Sequence, residues 1–184
     1  ARGPLPQMDA IDMSYSSLMH LPTLSGIRCK RLYAPNNYIR VIWPEMLPLG
    51  IEDVNLSHNN ILSDGLLDEW PEDIYTINLS NNFIADLASV TLWPIQLRVL
   101  DLSYTPLKEL PHGSAFPNLE WLSVSHTEII RITSFPPKLR ILDATTSHLV
   151  FISNLPDSLE VALLNENRFG NIGLPKKWSA SLKT

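Results

Sequence analysis

His112-Gly113-Ser114 sets an imidazole close to a hydroxyl, the pair of residue types that makes a base and a nucleophile when a third group orients them. The tripeptide reads as a turn after Leu110-Pro111, and neither an orienting group nor oxyanion donors can be placed around it. One cysteine, Cys29, and the remaining four of the five histidines are the other reactive side chains. No H-E-x-x-H, G-x-x-x-x-G-K-S/T, G-x-S-x-G or zinc-spaced cysteine pair occurs, so metal-dependent hydrolysis, phosphate cradling and serine hydrolysis all lack their machinery. Neither catalysis nor a cofactor is expected. The chemistry left is recognition, and it depends on how the chain arranges its polar and aromatic side chains.

That arrangement is periodic. Eight stretches overlay on the frame L-x-x-L-x-L-x-x-N-x-L, beginning at Met8, Cys29, Ile51, Ile74, Leu97, Leu119, Leu139 and Leu159, with steps of 21, 22, 23, 23, 22, 20 and 20 residues. The fourth position (Ile11, Leu32, Val54, Ile77, Leu100, Leu122, Leu142, Ala162) and the sixth (Met13, Ala34, Leu56, Leu79, Leu102, Val124, Ala144, Leu164) are apolar throughout. A fixed period in this range marks a solenoid whose units bury an apolar face only by stacking. The ninth position holds Ser16, Asn37, Asn59, Asn82, Thr105, Thr127, Ser147 and Asn167. Pointing inward, each must hydrogen-bond the backbone of its turn, and every occupant can.

On these residues the chain resembles the leucine-rich repeat superfamily over roughly residues 8 to 172. The resemblance implies an α/β-type solenoid, a right-handed arc with a concave parallel sheet. The short period leaves no room for convex helices, so loops and 3-10 turns are expected outside. Aromatic or leucine residues before proline, at Trp70-Pro71, Trp93-Pro94, Phe116-Pro117, Phe135-Pro136 and Leu155-Pro156, precede strands. Proline suits such convex turns because its φ is fixed and it has no amide to leave unpaired. The tryptophans are expected to fill the space between convex segment and sheet. The 20-residue copies also look like those of bacterial type III secreted effectors, whose repeats recruit host proteins and are in some cases joined to a ubiquitin-ligase domain; nothing here matches a ligase domain.

Apolar residues at 45% and charged residues at 18% indicate a globular chain. No run of about 20 apolar residues is present, so membrane insertion is not expected. Cys29 stands at an inward position and reads as a small core hydrophobe. With no partner for a disulfide, a reducing compartment, or delivery into a host cell, is favoured. Asn55-Leu56-Ser57 and Asn78-Leu79-Ser80 match the glycosylation sequon, but both arise from the repeat frame. The chain opens on Ala1-Arg2-Gly3-Pro4-Leu5-Pro6, without a hydrophobic leader. Leu174-Pro175-Lys176-Lys177-Trp178 echoes the lead-in Leu155 to Leu159, so a partial ninth repeat is expected over 174–184. One solenoid over 1–184, a piece of a longer protein with uncapped ends able to stack on neighbours, is the expected organisation.

Strand side chains alternate, so positions three, five, seven and eight should face solvent on the concave side. The third column runs Ala10, Arg31, Asp53, Thr76, Val99, Trp121, Ile141, Val161, and the fifth Asp12, Tyr33, Asn55, Asn78, Asp101, Ser123, Asp143, Leu163. Repeats one to four are polar; repeats five to eight carry an apolar stripe from Val99 to Val161. Trp121 ringed by Asp101, Ser123 and Asp143 has the make-up of an interaction hot spot with a polar rim. The eighth column adds Tyr15, Asn36, His58, Asn81, Tyr104, His126, Thr146 and Glu166. His58 and His126 are three repeats apart, too far to share a metal. Grid charges are acidic (Asp12, Asp53, Asp101, Asp143, Glu166) against Arg31, and the whole chain carries −5. Nucleic acid is thereby disfavoured, and a basic protein surface fits better.

The expected function is a non-catalytic protein-recognition module, its partner-binding face formed by Tyr33, Asp53, Asn55, His58, Asn78, Val99, Asp101, Tyr104, Trp121, Ser123, His126, Ile141 and Asp143. A structural strut in a larger assembly, viral or at a cell surface, is the alternative. A substrate-recruiting arm of an effector or ligase complex is a third.

Overall fold

The computed structural model describes residues 3–183. Residues 1, 2 and 184, at the two ends of the expected solenoid, lie outside the described part. Ten strands run in chain order as β1 (Gln7–Asp12), β2 (Arg28–Tyr33), β3 (Asp53–Asn55), β4 (Thr76–Asn78), β5 (Val99–Asp101), β6 (Trp121–Ser123), β7 (Arg131–Ile132), β8 (Ile141–Asp143), β9 (Phe151–Ile152) and β10 (Val161–Leu163). Eight of them form one parallel sheet, ordered β1-β2-β3-β4-β5-β6-β8-β10. Its register is that of the sequence frame: Arg31 pairs Asp53, Asp53 pairs Thr76, Thr76 pairs Val99, Val99 pairs Trp121 and Trp121 pairs Ile141.

From β3 to β8 each strand of this sheet has three residues and a buried middle one, because the fourth frame position faces inward. Leu32, Val54, Ile77, Leu100 and Leu142 are completely buried there, and Leu56, Leu79, Leu102, Val124 and Ala144 fill the sixth position as completely. Cys29 is buried as well, with its thiol on the Arg31 carbonyl at 3.2 Å. Within the described residues, the only helical segments are three 3-10 turns at Pro44–Met46, Ser63–Gly65 and Gly113–Ala115. Among the described residues no helix is long and apolar enough to cross a membrane.

The proline lead-ins work as turns that feed the strands. Carbonyls of Pro94, Pro136 and Pro156 accept from Leu97, Leu139 and Leu159 N–H at 3.1, 3.2 and 3.0 Å. Trp70, Trp93 and Phe116 pack in a row behind the sheet, the two indoles stacked at 6.3 Å between centroids and Phe116 tilted against Trp93 at 5.2 Å. Both indole N–H groups are buried without a hydrogen-bond partner. Trp43, which also precedes a proline, is exposed, unlike Trp70 and Trp93, because Leu47 takes the inward place in its coil.

The ninth coil also departs from expectation. Lys183 N–H donates to the Glu160 carbonyl at 2.8 Å, as Glu160 N–H does to Arg140 at 2.7 Å, so Leu182 is its first frame position. Trp178, not Leu174, therefore stands where Leu155 stands one coil earlier, and is exposed.

Candidate partner-binding face

The ninth position is the spine that holds neighbouring coils in register. Asn82 Nδ2 donates to the carbonyls of Leu56, one coil back, and of Leu79, at 2.9 and 3.0 Å, while its Oδ1 accepts from Ile61 N–H at 3.0 Å. Asn37, Asn59 and Asn167 repeat this bridging pattern. Thr105 and Thr127 donate to carbonyls of their own coils, Leu102 and Val124, and Thr127 also meets the Ser147 hydroxyl of the next coil at 3.2 Å. Ser147 restores a bond to the previous coil through the Val124 carbonyl.

Along the fifth column the Asp and Asn side chains are tied into the same turns. Asn55, Asn78 and Asp101 each accept through Oδ1 from the N–H and hydroxyl of the serine two residues on, Ser57, Ser80 and Ser103. Asp143 accepts from Thr145 N–H at 3.1 Å. These bonds were not expected from the sequence, which assigned the four residues to partner contact alone; each offers a partner only the part of its head group that the turn leaves free. Asp12 makes the same bond with Ser14, whose side chain and then backbone hold the carboxyl below its ordinary pKa. The serines are buried rather than solvent-facing, because bonding back to the fifth position draws them inward. The sequons at Asn55 and Asn78 are thereby explained as a turn device, with Oδ1 committed to the hydroxyl.

The third column stays available. Val99, Trp121, Ile141 and Val161 sit in adjacent register on β5, β6, β8 and β10, all half-buried. Trp121 is thus less open than an exposed anchor, being flanked on both sides by its strand neighbours. Ser123 beside it is only 3% exposed, a correction to its expected place on the rim: it turns in toward Ser125, at 3.4 Å. In the polar half, Tyr33 donates its hydroxyl to Asp53 at 3.0 Å. Burial first, and that bond second, raise the Tyr33 phenol above its usual range.

Every eighth-column residue, Tyr15, Asn36, His58, Asn81, Tyr104, His126, Thr146 and Glu166, has positive φ, between 50 and 57°. This left-handed turn is where the chain leaves the sheet, so the column forms its rim. Tyr104 and His126 stack there; His58 is exposed on the same rim.

A second feature absent from the sequence reading is an ion-pair ladder at frame position two. Arg98 pairs with Glu120 at 2.6 Å, Glu120 with Arg140 at 3.7 Å, Arg140 with Glu160 at 2.7 Å, and Glu160 with Lys183. Arg140 first and Lys183 second bring the Glu160 carboxyl down to about 2. His112 and Ser114, singled out for their chemistry, do meet: Nδ1 lies 2.9 Å from Oγ and 3.3 Å from Ser114 N. The imidazole is capping a 3-10 turn, and among the described residues no carboxylate bonds its second nitrogen.

Comparison with solved structures places this architecture. The leucine-rich repeat domain of APL1B matches with a TM-score of 0.67 and 18% identity over 86% of this chain and 50% of its own. YopM from Yersinia enterocolitica WA-314 matches with a TM-score of 0.66 and 23% identity over 97% of this chain and 41% of its own. The ectodomain of the plant membrane receptor kinase GASSHO1/SCHENGEN3 from Arabidopsis thaliana, in complex with CASPARIAN STRIP INTEGRITY FACTOR 2, matches with a TM-score of 0.51 and 18% identity over 87% of this chain and 24% of its own. The chain thus has the leucine-rich repeat fold and spans half or less of the length of these neighbours. No protein-family model and no curated protein matches it.

Proposed function

We propose that this chain is a non-catalytic protein-recognition module whose concave face, centred on Trp121, binds a protein partner. The observation that carries the reading is the unbroken apolar column Val99-Trp121-Ile141-Val161, in register across four adjacent strands on a face whose remaining columns are mostly polar. A half-buried aromatic between aliphatic neighbours gains by losing its remaining water contact, and such an anchor typically contributes ~2 kcal/mol or more to affinity. The acids Asp53, Asp101 and Asp143 on the same face favour a partner with basic residues around its apolar contact, which they would also steer toward it. The receptor ectodomain above was solved with a bound factor; it lends only the fold-level analogy that such a solenoid can hold a partner.

The test is affinity capture from the native source, comparing the chain with a Trp121→Glu, Ile141→Lys variant whose melting curve has been checked. Asp101 is unsuited as a probe because its loss frees Ser103 from the turn. A protein recovered by the first bait and lost with the second supports the concave site. Equal recovery of every captured protein by both baits removes it.

A further inference from the structure

On the convex side, coils five and six part company. The coil from Leu97 is 22 residues long and the next, from Leu119, is 20. The coils touch where Glu128 N–H donates to the Leu107 carbonyl at 3.0 Å and again where Gly113 N–H donates to Ser134 Oγ at 2.9 Å. At the second contact they are so close that a Cβ on Gly113 would lie 2.1 Å from the Phe135 carbonyl oxygen. Between these points opens a groove of about 730 Å³ walled by Lys108–His112 on one side and Ile130–Ser134 on the other.

One coil further on, the corresponding space is closed by a ladder. Val150 N–H donates to the Ile130 carbonyl and Ser153 N–H to the Ile132 carbonyl, both at 2.9 Å, and β9 pairs with β7. The equivalent donors of coil six are Ile130 and Thr133, and the equivalent acceptors of coil five are the carbonyls of Lys108 and Leu110. Among the described residues none of these four groups has a backbone partner. The groove therefore exposes donors on one wall and acceptors on the other, with Leu110, Pro111 and a half-exposed Ile130 side chain between them.

We propose that this groove is a strand slot: it takes an extended peptide segment of a protein partner, which completes the interrupted ladder on both sides. An extended chain presents carbonyls to Ile130 and Thr133 and amides to Lys108 and Leu110 at once, which a helix with its backbone bonds internally satisfied cannot do. Lys108 and Arg131 offset Glu109 and Glu128 around the rim, so the complementary segment is uncharged at its centre and carries an aliphatic residue toward Leu110 and Ile130. This site is separate from the concave face and does not rest on that reading.

Amide hydrogen exchange on the intact chain tests it, with and without a panel of short blocked peptides of alternating threonine and valine, leucine or isoleucine. In the free chain Ile130 and Thr133 amides exchange at least tenfold faster than those of Val150 and Ser153; comparable protection of all four means the slot is closed and overturns the proposal. With peptide, Ile130 and Thr133 gain protection, and N-methylating the peptide's alternate amides abolishes the effect. If no member of the panel protects the two amides at millimolar concentration, or if N-methylated and parent peptides act alike, the proposal is wrong. An Ile130→Glu variant, altered at an exposed side chain, weakens peptide binding at least tenfold while leaving the melting curve unchanged; undiminished binding overturns the proposal.

Discussion

The rings of Tyr104 and His126 lie stacked one coil apart, 4.2 Å between centroids and 20° between planes, and both residues hold left-handed backbone with φ of 55°. Side chains other than those of asparagine, aspartate and histidine are rarely placed there in place of glycine, and a residue such as Tyr104 costs on the order of 1–3 kcal/mol. Stacking, typically ~0.5–1.5 kcal/mol for an aromatic pair, offsets part of that cost at this position. In a double-mutant cycle with Tyr104→Asn and His126→Asn, a coupling energy of zero would show that the pair contributes nothing.

Thr146 isolates the backbone cost, because a β-branched side chain fits φ of 50° worst of all. Its one hydrogen bond from the side chain, to Glu166 at 3.1 Å, is exposed. Thr146→Asn is expected to stabilise the fold by about 1 kcal/mol, read as a higher denaturant midpoint at unchanged slope.

The ninth-position spine makes predictions of opposite sign. Asn82→Leu strips the bonds to Ile61, Leu56 and Leu79 and should cost ~1–3 kcal/mol. Thr105→Asn inserts a bridging amide where the present hydroxyl reaches only Leu102 and should gain ~0.5–1.5 kcal/mol. Calorimetric melting of both variants decides the matter, and a lowered midpoint for Thr105→Asn would mean the coil spacing there does not admit the longer side chain.

The ion-pair ladder predicts a pH signature. Glu160 titrates near 2 when folded, below its ordinary value of 4.5. Its contribution is therefore fully present above 4.5 and is lost as pH falls through about 2. The stability difference between the chain and Glu160→Gln should be flat from neutral pH down to that upper value and shrink to nothing below it. A constant difference across the whole range would show that the carboxylate's charge is not what Arg140 and Lys183 recognise.

Truncation to alanine should separate the two kinds of tryptophan. Trp93, packed between Trp70 and Phe116, should cost ~3–5 kcal/mol; half-buried Trp121 should cost distinctly less, its main loss appearing in partner affinity. Equal destabilisation would place Trp121 in the core instead of on the binding face.

Much of this was legible in the residues. Leu32, Val54, Ile77 and Leu100 announce a buried column by recurrence alone, and the prolines at Pro94, Pro136 and Pro156 announce its turns. What escaped was pairwise. The Asp101-Ser103 and Asn78-Ser80 spacings recur, but read singly they suggest surface polarity or a sequon, and only the turn's geometry shows side chain bonding to backbone. The left-handed rim carries a conformational signature at Asn36 and Asn81, while Tyr104, His126 and Thr146 mask it, because the solenoid imposes that backbone whatever residue stands there. The alternation of Arg98, Glu120, Arg140 and Glu160 was visible in the second column, and its pairing became apparent only once adjacent coils were in register. In the ninth coil, the extra residues around Gly170 and Gly173 delayed the frame, so the motif Leu174-Pro175 misled.

The mismatch between coils five and six is, in the language of crystals, an edge dislocation: a row that fits on one face and runs out on the other. Because β5 and β6 keep perfect register through it, the concave sheet is indifferent to residues gained or lost on the convex side. An array built this way can vary one surface by insertion and deletion while the opposite surface varies by substitution, so its two faces can be reshaped independently of each other.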